Sequence, residues 1–204
     1  MGRAEENAHQ RQIEKGLCAA GKMTLGSHQQ TVGKSQDHLT PRWIIDTLGP
    51  FDLDPCASLH GPPCAIHVIR PPADGLAACW PPEMLIWLNP PFDRYRVGKW
   101  IQRLADHGNG IALLHARTET AWFRPCWKHA SAILFMAKRI AFCRADGTAQ
   151  SANSGAPPVL IAFGDLAKHR LASSGILGAL IHDWDWITAG APDSKSPMIS
   201  ISLR

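Results

Sequence analysis

Asn89-Pro90-Pro91-Phe92 brings together residue types that can act on an amino group. Pro90 and Pro91 have no N–H and fixed φ angles, so the turn is stiff and rich in acceptors. Asn89, preceding a proline, is biased to an extended conformation. The Asn89 side-chain oxygen and the Pro90 carbonyl can therefore converge on one –NH2 group, with the Phe92 ring beside them. An exocyclic amine on an aromatic ring is a poor nucleophile because its lone pair is delocalised. Two acceptors on its hydrogens favour pyramidalisation and aim the lone pair at an electrophile, while an aromatic side chain stacks on the ring. The same four residues also suit a plain proline-rich turn over a core phenylalanine, so a second feature is needed.

That feature is Asp54, in Phe51-Asp52-Leu53-Asp54-Pro55-Cys56-Ala57-Ser58. A carboxylate followed by small residues can accept from a ligand hydroxyl and lets the ligand approach the backbone. Thr40-Pro41 reads as an N-cap and first helical residue, and helix N-termini accept carboxylates and phosphates. Asp74, in Asp74-Gly75-Leu76, can accept a hydrogen bond from an adenine amino group or start a turn.

The elements that must position these residues alternate in type. The apolar run 84–88 reads as a buried strand ending at Asn89, and 51–54 as a short strand ending at Asp54. Carboxyl ends of strands are where open α/β sheets bind ligands. A helix is expected over 41–48, with Trp43, Ile44 and Leu48 inward. A second is expected over 97–107, with Trp100, Ile101 and Leu104 inward and Gly108 as its stop. Strands are expected at 111–114, 132–136, 139–142 and 159–163, the last two paired as a C-terminal antiparallel hairpin. Helical segments are expected over 121–128 and 166–181, and a long loop over 144–158. The order argues an α/β domain with a mostly parallel sheet. Its expected limits are 37–164, between a flexible arm over 1–36 and an extension over 165–204.

The 204 residues, 45% of them hydrophobic, suit one domain with a sizeable core. No apolar run approaches a membrane span, and the N-terminus carries no signal-peptide pattern, so a cytoplasmic protein is expected. A net charge of +4 is compatible with a polyanionic partner. The six cysteines form no CxxC pair. Cys56, His60, Cys64 and His67 match no standard zinc spacing, so no metal is expected. The eight tryptophans are expected to serve packing.

Two polar strand ends lining one crevice can hold a cofactor with carboxylate, ribose and adenine on one side and a planar amine on the other. S-adenosylmethionine fits, since its sulfonium methyl is an electrophile that needs no metal. At this point the chain resembles the phage DNA N-6-adenine methyltransferases. The matching blocks are Leu39-Thr40-Pro41, Phe51 through Ser58, Asp74-Gly75-Leu76 with Trp80, and Trp87-Leu88-Asn89-Pro90-Pro91-Phe92. Arg139-Ile140-Ala141-Phe142 and the strand at 159–164 extend the match.

The resemblance implies a Rossmann-like methyltransferase sheet and methyl transfer to adenine N6 in double-stranded DNA. Asn89 and Pro90 would hold the amino group, Pro91 would stiffen the turn, and Phe92 would stack on the base. Asp54, Pro55, Cys56 and Ala57 would form the cofactor loop. Thr40 and Pro41 would lie near the methionine carboxylate, and Asp74 near the cofactor adenine. The Gly-rich loop typical of methyltransferases at large is replaced here by Asp-Pro-Cys-Ala-Ser, and no acid follows a second strand between Ser58 and Arg70, which leaves Asp52 or, preferably, Asp54 for the ribose. Duplex DNA hides the amino group, so a flipped adenine is implied. Arg94, Arg96, Lys99, Arg117, Lys138 and Arg139 could grip phosphate. The alternatives are the same chemistry on RNA or a protein glutamine, and a non-catalytic DNA-binding module that keeps the fold.

Overall fold

A computed structural model describes residues 39–93, 95–143 and 156–187. The arm expected over 1–36, Arg94 and most of the loop expected over 144–158 lie outside the described residues. Among the described residues, seven strands form one sheet in the order β2-β1-β3-β4-β6-β5-β7. They are β1 (Leu53–Asp54), β2 (His67–Val68), β3 (Ile86–Leu88), β4 (Gly110–His115), β5 (Ala132–Met136), β6 (Pro158–Phe163) and β7 (Gly178–Ile181). Among the described residues four α-helices accompany them: α1 (Arg42–Leu48), α2 (Val97–His107), α3 (Arg124–His129, entered through a 3-10 turn) and α4 (Asp165–Ser173).

The α/β class holds, but the sheet is mixed rather than mostly parallel. β1 runs parallel to β2 and β3, and β3 to β4. Then β6 inserts between β4 and β5 and opposes both, and β7 opposes β5. The expected hairpin partner of β6 is also different. Both edges of β6 are occupied by β4 and β5, so 139–142 cannot join it. That stretch still alternates, with Ile140 and Phe142 buried between exposed Arg139 and Ala141, but it forms no strand. Cys143 instead bridges Leu39.

Period-2 alternation sends side chains to two cores. Ile111 and Leu113 of β4 join α1 (Ile44, Ile45, Leu48) and α4 (Ala167, Leu171) on one face. Ala112 and Leu114 join α2 (Val97, Trp100, Ile101, Leu104) and α3 (Cys126) on the other. The inward stripe of α2 has the spacing of an amphipathic helix, and the helix ends at Gly108, whose φ of 76° a residue with a Cβ rarely adopts.

Three expectations change in detail. Thr40 does not cap α1: Pro41 holds the N-cap position and no side chain caps the helix. Trp43 faces outward, 49% exposed, and Ile45 takes the inner place. The helix expected over 166–181 stops at Ser173, and the chain returns as β7, so helix and strand past Gly164 belong to the same sheet and core. Among the described residues, no helix is long and apolar enough to cross a membrane.

Candidate active site

The direction of the connections places the site. From β1 the chain goes to β2 on one flank, and from β3 to β4 on the other. Neighbouring parallel strands whose connections diverge leave a crevice at their carboxyl ends. Leu53 is in register with Ile86, so Asp54 ends β1 beside the point where β3 gives way to Asn89. One cleft there is lined by Thr40, Asp54, Cys56, Ala57 and Asn89-Pro90-Pro91-Phe92. Ser58, Cys64 and Trp87 also line it.

Thr40 is buried, and its hydroxyl oxygen accepts from Asn89 Nδ2 at 3.1 Å. This bond joins residues 49 positions apart. It also orients the amide: with the nitrogen committed to Thr40, the Asn89 oxygen is directed away from that hydroxyl. Pro90 is buried and Pro91 exposed. The Phe92 ring stacks on His115, with centroids 4.0 Å apart and planes 5° apart. His115 ends β4, the next parallel strand. Three adjacent strand ends thus carry Asp54, the Asn89 turn and His115.

Asp54 is only 5% exposed. Its Oδ1 accepts from the Cys56 N–H at 3.1 Å. Burial nevertheless dominates over that bond, the Cys56 thiol and the Arg70 charge, and pushes the carboxyl up to about 7. Arg70 is occupied by the Ser58 and Gly61 carbonyls, which tie down the loop after β1. Burial likewise raises the Cys56 thiol, and pushes that of Cys64 up to about 12, so both stay neutral at physiological pH. Asp52, the other candidate acid, accepts from the Leu85 N–H at 2.7 Å and fastens β1 to the start of β3. Its carboxylate is engaged in holding the strands together.

Two further side chains of the cleft escaped sequence reasoning. Ser58 Oγ and Trp87 Nε1 are buried and have no hydrogen-bond partner among the described residues. Most buried polar atoms are paired, so such atoms at a cleft suit a polar ligand. Both stand in the blocks that carry the resemblance, but taken singly they look like ordinary turn and core residues, so neither was given a role. His115 was given no role: the strand was expected at 111–114, and it extends one residue further to include His115.

The remaining expected residues are less central. Pro41 precedes α1, and Pro55 packs its carbonyl against Gly75; neither lines the cleft. Asp74 also lies outside the lining. It bonds Arg96 at 3.1 Å and the Leu76 N–H at 3.1 Å. Its loop is nevertheless tied to the β1 turn. A Cβ on Gly75 would sit 1.7 Å from the Pro55 oxygen, and Trp80 Nε1 donates to the Gly75 carbonyl at 2.9 Å. Lys99, Arg117, Lys138 and Arg139 are exposed. Arg117 follows β4, and Lys138 and Arg139 follow β5, which shares the direction of β4 because both oppose β6. These three therefore lie at the cleft edge of the sheet. Among the described residues, no three His, Cys, Asp or Glu side chains cluster as a metal site.

Against known proteins, a family model described as DNA N-6-adenine-methyltransferase (Dam) matches residues 28–177. That span includes every residue named above as lining the cleft. The DNA N-6-adenine-methyltransferase of Escherichia phage T1 is 34% identical over 104 residues, covering 48% of this chain and 43% of that protein. The chain thus spans less than half the length of this curated relative. No solved structure matches.

Proposed function

The chain belongs to the DNA N-6-adenine-methyltransferase family, and from that premise we propose that it transfers a methyl group from S-adenosylmethionine to adenine N6 in DNA, acting on phage or prophage DNA in a bacterial cytoplasm. The observation that carries this reading is the convergence of Asp54 and Asn89-Pro90-Pro91-Phe92 on one cleft at the point where the β1 and β3 connections diverge.

The cleft's own groups suit the cofactor. Asp54 offers a carboxylate to ribose hydroxyls, and a hydroxyl donor would favour its ionised form. Ser58 Oγ and Trp87 Nε1 are buried donors without a partner among the described residues, which fits a carboxylate or an adenine nitrogen. Cys56 and Ala57 are small enough to let a ligand lie against the backbone. Pro41, Pro55 and Asp74 act from behind, through the helix start and the loop packed on the β1 turn. S-adenosylmethionine, when bound, supplies a methyl group on a positively charged sulfur.

The acceptor side is built by the tetrad. Asn89, held by Thr40, and the Pro90 carbonyl accept from the two hydrogens of the adenine amino group. Phe92, backed by His115, offers its other face to the base. Holding nucleophile and methyl donor in line supplies much of the acceleration. In a duplex this requires an extruded adenine. Arg94, Arg96, Lys99, Arg117, Lys138 and Arg139 are assigned to the phosphates, with Arg96 already tied to Asp74.

The test is transfer of labelled methyl to unmethylated DNA by the wild type and by Asn89→Ala. N6-methyladenine should form with the wild type. The variant should lose at least 100-fold in turnover, as expected when a donor or acceptor aimed at the reacting group is removed, while still binding the cofactor. Label on cytosine, RNA or protein overturns the assignment.

A further inference from the structure

Tyr95 is the single tyrosine of the chain, and at 70% exposure it stands out further than Trp43 at 49% or Trp186 at 41%. It lies three residues beyond Phe92, so the two Cα atoms are at most about 11 Å apart. The turn that presents it is braced. The Tyr95 N–H donates to Asp93 Oδ1 at 2.9 Å, and the Arg96 and Val97 N–H groups donate to the Asp93 carbonyl at 3.1 and 2.9 Å. Arg96 then crosses to Asp74, whose loop packs on the β1 turn. Tyr95 is thus a largely exposed aromatic residue whose backbone is tied to Asp93, next to the acceptor side of the cleft. Trp43, by contrast, follows Thr40 on the side assigned to the cofactor.

We propose that Tyr95 is a wedge that enters the base stack of a DNA duplex at the position vacated by the extruded adenine. The inference rests on the reading of the site as an adenine methyltransferase. Proteins that distort duplexes insert apolar side chains between base steps, and an aromatic ring there recovers stacking lost when the base leaves. The ring does the work, so the hydroxyl is dispensable. A single strand has no opposing stack to hold open, so the wedge adds nothing on that substrate. Tyr95 acts as a positioning residue: it favours the flipped state and touches no reacting atom.

The experiment compares kcat/KM for methyl transfer to one adenine-containing sequence as duplex and as single strand, for wild type, Tyr95→Ala, Tyr95→Phe and Trp43→Ala. Fluorescence of 2-aminopurine at the target position reports extrusion directly. A lost base–aromatic stack of about 1–3 kcal/mol corresponds to roughly 5- to 150-fold. Tyr95→Ala should lose that much on duplex, with a matching fall in the 2-aminopurine signal, and change less than about twofold on single strand. Tyr95→Phe and Trp43→Ala should keep duplex activity. Equal losses on both substrates, no loss on duplex, or failure of phenylalanine to rescue overturns the wedge. So does a wild type that methylates adenine in single strands only. If the wild type methylates adenine in neither form, the functional reading fails first and the wedge falls with it.

Discussion

Replacing Asp54 by asparagine tests whether the cleft holds a carboxylate at a cost to the fold. Asp54 is 5% exposed, and its carboxyl is pushed from 3.8 up to about 7, chiefly by burial. A shift of about three units corresponds to about 4 kcal/mol at 1.36 kcal/mol per unit. The sign follows from which state holds the proton. Below pH 3.8 the carboxyl is protonated in both folded and unfolded chains, and nothing is lost. Between 3.8 and about 7 the unfolded chain has released its proton while the folded one keeps it, so stability falls as pH rises. Above about 7 both are ionised and the whole cost is present. Asparagine does not titrate, and its oxygen can still accept from the Cys56 N–H. The variant should match the wild type near pH 4 and exceed it at pH 8 by up to about 4 kcal/mol, a ceiling that water entering the cleft reduces. In a protein of this size that is roughly 8–16 °C in Tm. Urea denaturation of both proteins from pH 4 to 8.5, without ligand, measures the difference. Parallel pH profiles, or an advantage under about 1 kcal/mol at pH 8, refute the reasoning.

Other substitutions separate the roles of neighbouring residues. Ser58→Ala removes a buried hydroxyl that has no partner among the described residues; the free protein should gain about 1 kcal/mol and bind S-adenosylmethionine more weakly by calorimetry, whereas a loss of stability would mean that the hydroxyl is bonded in the free protein. Gly75→Ala places a methyl 1.7 Å from the Pro55 oxygen, so the loop must lift from the β1 turn. About 1–3 kcal/mol should be lost in urea denaturation, and an unchanged midpoint contradicts the packing. His115→Ala removes the ring behind Phe92. With such pairs worth about 0.5–1.5 kcal/mol, KM for DNA should rise roughly 2- to 12-fold, cofactor affinity should hold, and His115→Phe should restore the wild-type value; a change confined to cofactor affinity counts against the stack.

What was legible in the sequence was what local pattern dictates. The inward stripe of α2 and its Gly108 stop need only helical periodicity, and both appear where expected. The run into Asn89 needs only apolar continuity, and the carboxyl ends of β1 and β3 meet at one cleft. What failed depended on distant partners. Thr40-Pro41 has the local chemistry of a helix cap, yet the Thr40 hydroxyl accepts from Asn89 far along the chain. Residues 178–181 carry no strong strand pattern, since Gly178 and Ala179 sit exposed on an edge strand whose pairing with β5 alone defines it. The stretch 139–142 does alternate, but the strand it was expected to join had no edge left.

The cleft stands out from the rest of the molecule by coincidence of features rather than by any single one. Buried polar atoms without partners also occur away from it: Trp100 Nε1 and His107 Nδ1 lie on α2. There the neighbours are packing groups, with Trp80 stacked on Trp100 and Arg103 bound to the Leu76 and Ala78 carbonyls. Around the cleft, Ser58 Oγ and Trp87 Nε1 are joined by a carboxyl that burial pushes up to about 7 and by an amide oriented by a bond across the chain. The two unpaired donors and the buried carboxyl lower the stability of the free protein, and a stable sheet on its own needs neither. A ligand with hydroxyls, a carboxylate and a positive centre would satisfy them together. The sheet makes the arrangement possible: its parallel half brings strand ends bearing polar groups to one edge, while β5 and β6, each paired on both sides, supply a buried antiparallel half.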